Sequence, residues 1–346
     1  MALTGRLAAI RLICMVTIPE VCLYMKTPLR IPLAHLPTSI DPLPRLTAIL
    51  AGPELFIKRD DQTGLAFGGN KTRKLEFLMA DAQAKDAQTV ITGGAVQSNH
   101  CRQTAAAAAR LGLDCILVLA GDPPPTSSGN LLLDLLLNAE IVWSGAKPRD
   151  QVLRETYDEA RAAGRFPHLI PYGGSNAIGA TAYAFAVQEM LEQGCKPDWI
   201  VFPSSSGGTQ AGLVVGARLF EFKGRILGIS VDKQALDLQD GVAQLATETA
   251  AWLDFPVKFS PGEILVNADY LGGGYGVMGN PESEAIKLFA QAEGIFLDPV
   301  YTGRAAAGLI DLIRKGFFDP GQKVLFWHTG GAPALFADKY AVILTR

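Results

Sequence analysis

The sequence predicts an α/β fold built on parallel-rich twisted sheets covered by helices. Two observations predict it. Short, continuous apolar runs alternate with helical runs along most of the chain, the signature of strands buried on both faces. Loops rich in glycine and serine follow several of those runs, the position where open α/β sheets place their ligands.

Taken in order, Phe56 to Asp61 reads as a short strand running into a charged turn. Gly68-Gly69-Asn70-Lys71 then stands at the mouth of a helix whose apolar start is Leu75-Glu76-Phe77-Leu78-Met79. Thr89 to Thr92 is strand-like and ends in Gly93-Gly94-Ala95, and the alanine-rich run from Gln103 to Leu111 is a good helix former. Cys115 to Leu119 is a strand, Gly121 to Pro125 a loop, Leu131 to Leu137 a helix and Glu140 to Trp143 a strand. Trp199 to Pro203 is a strand that leads through a Ser/Gly loop into a helix near Gln210. Arg225 to Val231 and Lys323 to His328 are the remaining clear strands.

With 346 residues the chain can form two domains or one large one. Hydrophobic residues make up 49% and charged residues 19%, so a sizeable core can be buried. A net charge of −3 with no long basic or acidic run points away from nucleic acid and anionic membranes as partners. Five cysteines, Cys14, Cys22, Cys101, Cys115 and Cys195, fit reduced thiols in a cytoplasmic enzyme better than a disulfide framework. No His/Cys cluster has metal-ligand spacing, so no metal is expected. The apolar run Leu12 to Ile18 is too short to span a bilayer. It also lacks the cleavage site of a secretory signal, and residues 1–24 are expected to be an extension ahead of Met25.

Lys71 carries the chemistry. Glycines let backbone approach a ligand closely, and an amine held behind two of them can react with a carbonyl, as in pyridoxal phosphate enzymes. A nucleotide P-loop fails here: Gly64 and Gly69 have the required spacing, but Asn70 stands where the lysine belongs. Gln97-Ser98-Asn99-His100 lies ahead of the alanine-rich helix, a place for an anionic group, although an N-cap is the simpler role for Ser98 or Asn99. His100 reads better as a structural histidine than as a catalyst, and Cys101 as a small buried residue. Ser204 to Thr209 forms an anion nest suited to phosphate, not the dinucleotide fingerprint. Tyr275 sits on a pliable glycine loop, and Tyr301 and Thr302 precede a helix. Phenols there can steer protons, and a hydroxyl can bond a pyridine nitrogen.

Together the motifs identify a family. Gly68-Gly69-Asn70-Lys71, Gln97-Ser98-Asn99-His100, Ser206-Gly207-Gly208-Thr209, Gly274-Tyr275-Gly276-Val277, Asp298-Pro299-Val300-Tyr301-Thr302-Gly303 and His328-Thr329-Gly330-Gly331-Ala332-Pro333-Ala334-Leu335 occur in the family's order. Over residues 28 to 338 the chain resembles the D-cysteine desulfhydrase and 1-aminocyclopropane-1-carboxylate deaminase family. That resemblance implies the tryptophan synthase β-like fold, fold type II of the enzymes dependent on pyridoxal 5′-phosphate. Lys71 would hold the cofactor and move the Cα proton, and Asn99 would bond the pyridoxal 3′-oxygen. Ser98 would meet the substrate, and Asn70 would also contact the cofactor. Ser206, Gly207, Gly208 and Thr209 would bind its phosphate. Tyr275 and Tyr301 would flank substrate and ring, and Thr302 would face the pyridine nitrogen. The substrate would be a small amino acid and the assembly a homodimer.

Within the family, Thr302 and Thr329 resemble the desulfhydrases; the deaminases carry Glu and Leu there. A threonine hydroxyl leaves the ring a weaker electron sink than a carboxylate does. That suits expulsion of a thiol better than opening of a cyclopropane. The expected reaction is α,β-elimination of D-cysteine to pyruvate, ammonia and hydrogen sulfide. L-cysteate sulfo-lyase, the deaminase and a non-catalytic cofactor carrier are the alternatives. The expected division is 25–74 with 181–346 as a larger cofactor-binding domain and 75–180 as a smaller α/β domain.

Overall fold

The computed structural model describes residues 26–345; the extension expected over 1–24 and its boundary at Met25 lie outside them. In chain order the strands and helices are β1 (Ile40–Pro42), α1 (Pro44–Leu50), β2 (Glu54–Arg59), α2 (Asn70–Ala84), β3 (Thr89–Gly94), α3 (Asn99–Leu111) and β4 (Asp114–Leu119). There follow α4 (Asn130–Leu136), β5 (Glu140–Trp143), α5 (Arg149–Ala162), β6 (Pro167–Leu169), α6 (Ala177–Glu192), β7 (Trp199–Ser204) and α7 (Gly208–Leu219). The last third holds β8 (Arg225–Ser230), α8 (Ala235–Trp252), β9 (Leu265–Asn267), α9 (Asn280–Glu293), α10 (Thr302–Arg314), β10 (Lys323–His328) and α11 (Asp338–Leu344).

These strands form two sheets. The larger has the order β1-β2-β10-β7-β8-β9 and is parallel except for the edge pair of β1 with β2. The smaller, β5-β4-β3-β6, is parallel throughout. β3 and β7 are buried at every position, as strands covered on both faces must be. The main core packs α9 and α10 on the larger sheet through Ile286, Phe289, Leu309, Ile310, Val324 and Phe326. A second cluster joins α2 and α3 to the smaller sheet; the fully buried Ala105, Ala107 and Ala108 let those elements approach closely.

One consequence of parallel strands matters most here. The loops after β2, β3, β7 and β10 all leave the carboxyl ends of their strands, and four of the six quoted motifs lie at those loops; the Gly274–Val277 motif follows β9 and the Asp298–Gly303 motif joins α9 to α10. At the root of the loop after β2 is a buried polar knot. Asp60 Oδ1 accepts from Arg73 Nη2 at 2.8 Å and from Thr38 Oγ1 at 2.9 Å. Its Oδ2 accepts from the Tyr183 hydroxyl at 2.6 Å and Trp327 Nε1 at 2.8 Å. Burial alone would raise the Asp60 carboxyl, but the Arg73 guanidinium and these donors hold it below the usual carboxylate range.

Candidate active site

Lys71 lies in the first turn of α2, directly behind the glycine pair. Gly69 has φ 125°, and a side chain there would collide with the Gln103 amide 2.6 Å away. A Cβ on Gly330 would fall 2.6 Å from Gly69 Cα, so the loops after β2 and β10 cross where only glycine fits. The crossing is stitched by Asn70 N–H donating to Thr329 O at 3.0 Å. The side chain of Lys71 is enclosed except where it meets the cavity. Desolvation lowers its pKa from 10.5 to about 8, partly opposed by the Asp298 carboxylate.

The cavity beyond Lys71 is lined by Asn70, Ser98, Asn99, Ser206, Gly207, Thr209 and Tyr301, which come from both sheets. Ser98 is the N-cap of α3, its oxygen accepting from Cys101 N–H at 3.2 Å. It therefore caps a helix and lines the cavity at once. His100 is buried, with Nε2 3.0 Å from Thr92 Oγ1. Burial, reinforced by Lys71 and Lys74, drives its pKa well below the ordinary histidine value, so it is neutral. Cys101 is fully buried and its thiol is pushed up to about 12 chiefly by that burial.

An anion cradle surrounds the N-terminus of α7. Gly207, with φ 85°, turns the chain so that the first amides of α7 face outward. Gly208 N–H donates to Ser175 Oγ at 3.2 Å, Ser175 Oγ lies 2.8 Å from Ser206 Oγ, and Asn70 Nδ2 donates to Thr209 Oγ1 at 3.1 Å. Lys74, one turn after Lys71, projects to the same place. A Cβ on Gly208 would sit 2.9 Å from Lys74 Nζ, which otherwise donates to Gly173 O at 3.1 Å. Lys74 is 1% exposed, and among the described residues no carboxylate is bonded to it. Desolvation, then repulsion from Lys71, drives its pKa well down. A buried amine that a phosphate would charge and pair, beside outward-facing amides and hydroxyls, fits a phosphate. Replacing Lys74 with methionine is expected to weaken cofactor binding about 10- to 100-fold, measured by titrating the cofactor-free protein. An unchanged affinity would place the phosphate elsewhere.

Across the cavity the Tyr275 and Tyr301 hydroxyls are 2.6 Å apart and their rings meet edge to face. Burial raises both phenols, that of Tyr301 to well above the usual tyrosine value, with Tyr275 the next contributor. Both are neutral near pH 7, so each phenol keeps its proton. Tyr301 lines the main cavity, whereas Tyr275 reaches it through Tyr301 and lines a neighbouring cavity of about 410 Å³.

Thr302 departs from the expectation. Its hydroxyl donates to Asp298 Oδ1 at 2.8 Å and accepts from Asp298 N–H at 2.7 Å, a reciprocal cap at the start of α10. It does not line the cavity; Thr329 does. The helix cap takes the Thr302 hydroxyl because the Asp298 carboxylate already gathers the N–H groups of Val300, Tyr301 and Thr302. Gly208, too, contributes its N–H to the cradle without lining the cavity wall. Lys74, Tyr172 and Ser175 are the site residues missed from sequence. The signal for Lys74 was its spacing of three from Lys71, which puts the two amines on one helix face; Tyr172 and Ser175 had no such signal.

A family profile described as pyridoxal-phosphate dependent enzyme matches residues 31–330. A D-cysteine desulfhydrase of Klebsiella pneumoniae (strain 342) is 45% identical over 319 residues, which cover 89% of this chain and 95% of that protein. The crystal structure of a 1-aminocyclopropane-1-carboxylate (ACC) deaminase homologue superposes with a TM-score of 0.86 at 39% identity, covering 94% of this chain and 98% of that one. A fungal L-serine ammonia-lyase from Rhizomucor miehei, 17% identical with a TM-score of 0.64 over 92% of this chain and 98% of its own, shares the fold.

Proposed function

The chain belongs to the pyridoxal-phosphate dependent enzymes and has their fold type II, tryptophan synthase β-like architecture; from that premise we propose that it eliminates the β-substituent of a small amino acid, with D-cysteine as substrate. The observation that carries the reading is the pairing of Lys71 with the cradle around Lys74 across one cavity. The identity of 45% to D-cysteine desulfhydrases supports the choice of substrate.

When bound, pyridoxal 5′-phosphate supplies a carbonyl for the amine and a ring that disperses negative charge from Cα. The protein does the rest. Lys74, Ser206, Thr209 and the amides of α7 hold the phosphate, with Asn70 fixing Thr209. Asn99, which lines the cavity, would donate to the ring 3′-oxygen. Thr329, which lines the cavity while the Thr302 hydroxyl donates to Asp298, would offer its hydroxyl to the ring nitrogen, in keeping with a weak electron sink. Ser98 and the start of α3 receive the substrate carboxylate. The Lys71 amine takes the Cα proton, and the Tyr301–Tyr275 pair delivers a proton to the departing sulfur. The released aminoacrylate hydrolyses to pyruvate and ammonia.

Residues 75–180 act as the smaller domain, and 25–74 with 181–346 as the cofactor-binding one. Phe67, Leu136 and Phe336 expose most of their apolar surface, which a homodimer would cover. The location is cytoplasmic, in keeping with the free thiols of Cys101, Cys115 and Cys195. Among the described residues no helix is long and apolar enough to cross a membrane.

The test is a turnover screen. Equal release of sulfide and pyruvate from D-cysteine is expected, with little turnover of 1-aminocyclopropane-1-carboxylate. Sulfite release from L-cysteate as the preferred reaction would overturn the substrate assignment, and a visible band unmoved by any amino acid would overturn catalysis.

A further inference from the structure

We propose that Arg102 and Asn130 are positioning residues that fix the amide orientation of Asn99, so that its N–H groups rather than its oxygen face the cofactor. The inference rests on the reading above in which Asn99 donates to the ring oxygen.

The donors and acceptors around Asn99 leave one arrangement. Asn130 Nδ2 donates to Asn99 Oδ1 at 2.9 Å and to Gln97 O at 2.9 Å. Because Gln97 O can only accept, the nitrogen of Asn130 must lie on that side, and the Asn99 atom beside it must be oxygen. Arg102 Nη1, which can only donate, reaches Asn130 Oδ1 at 2.9 Å and Asn99 Oδ1 at 3.3 Å. Two obligate groups, a carbonyl and a guanidinium, thus set the polarity of both amides. The Asn99 nitrogen is left beside Gly331, where an added Cβ would lie 2.7 Å from it, at the cavity.

Arg102 is fully buried, and among the described residues its hydrogen bonds go only to these two amides and to Gly68 O at 2.8 Å. Among the described residues its Nε has no partner and no carboxylate is bonded to it. Such a guanidinium is a costly way to hold a fold together. What it does hold is the carbonyl of the glycine turn leading to Lys71, together with the amide expected on the ring. One side chain thereby sets the spacing between the amine and the ring-oxygen donor.

Asn130→Asp tests this with almost no change of shape. The carboxylate would pair with Arg102 but could not donate to Asn99, whose amide would turn over and present oxygen to the ring. The expected result is about tenfold weaker pyridoxal phosphate binding and a displaced visible absorption band. Arg102→Lys, which keeps the charge but loses the fork, should move affinity and band in the same direction. Asn99→Ala serves as the reference. If it changes affinity and band while both other variants match the parent in both, the positioning role is wrong. If Asn99→Ala itself changes neither, the reading of Asn99 has failed instead. If Asn130→Asp does not fold, Arg102→Lys decides by the same two readouts.

Discussion

Replacing Lys71 with alanine is expected to lower elimination activity by at least about 10⁴-fold, the upper range for losing a positioned proton-transfer group. The loss should fall on kcat, because the cradle around Lys74 is left intact and can still hold the phosphate. The variant should therefore bind pyridoxal phosphate reversibly and lack the visible band of a lysine-bound cofactor. A related dependence concerns the parent protein. The reactive form of the amine is neutral, and burial brings the Lys71 pKa down to about 8. Capture of cofactor by the cofactor-free protein should quicken about tenfold per pH unit below that value, since the neutral fraction rises so, and level off above it. Stopped-flow absorbance measures this directly. A capture rate still climbing tenfold per unit above pH 9 would mean that the amine is not desolvated.

Asp60→Ala is expected to destabilise the fold by about 3–5 kcal/mol, the cost of removing one partner from a buried ion pair. Arg73, Tyr183 and Trp327 all donate to this carboxylate, and each would be left buried without it. The sign with pH follows from the lowered carboxyl. Its contribution is fully present above the unfolded value near 4, and it is lost as pH falls through the lower folded value. The parent should thus lose stability steeply in acid while Asp60→Ala shows a shallower loss, read from denaturant midpoints between pH 3 and 7. Equal midpoints at pH 7 would remove the knot from the account of stability.

The sequence carried the strands that are long and apolar. Glu140 to Trp143 and Lys323 to His328 begin and end where the periodicity places them. Ends set by capping drifted: α3 starts at Asn99 rather than Gln103, because Ser98 caps it, and α7 starts at Gly208 rather than Gln210. The strands of three residues, β1, β6 and β9, were not legible, since each is held by its neighbour and carries no period of its own. Helix α6, with Ala180, Ala182, Tyr183 and Ala184 all buried, lacks the one-sided stripe that marks an amphipathic helix.

At the site, residues with special chemistry in short motifs could be read, and partnerships over distance could not. Lys71, Ser98, Asn99 and the Ser206–Thr209 loop belong to the first kind, and the structure brings them to one cavity. The bond from Trp327 to Asp60 spans 267 residues, and nothing local announces it. Thr302 shows the same limit. Its hydroxyl could serve either a ligand or a helix cap, and the choice depended on a carboxylate four residues earlier, Asp298.

The central claim is that one amine, on the first turn of α2, carries the cofactor. Reducing the cofactor-loaded protein with borohydride and mapping its peptides tests that most directly. A stable pyridoxyl label on Lys71 alone is the predicted result. A label on Lys74, on any other lysine, or on none would contradict it.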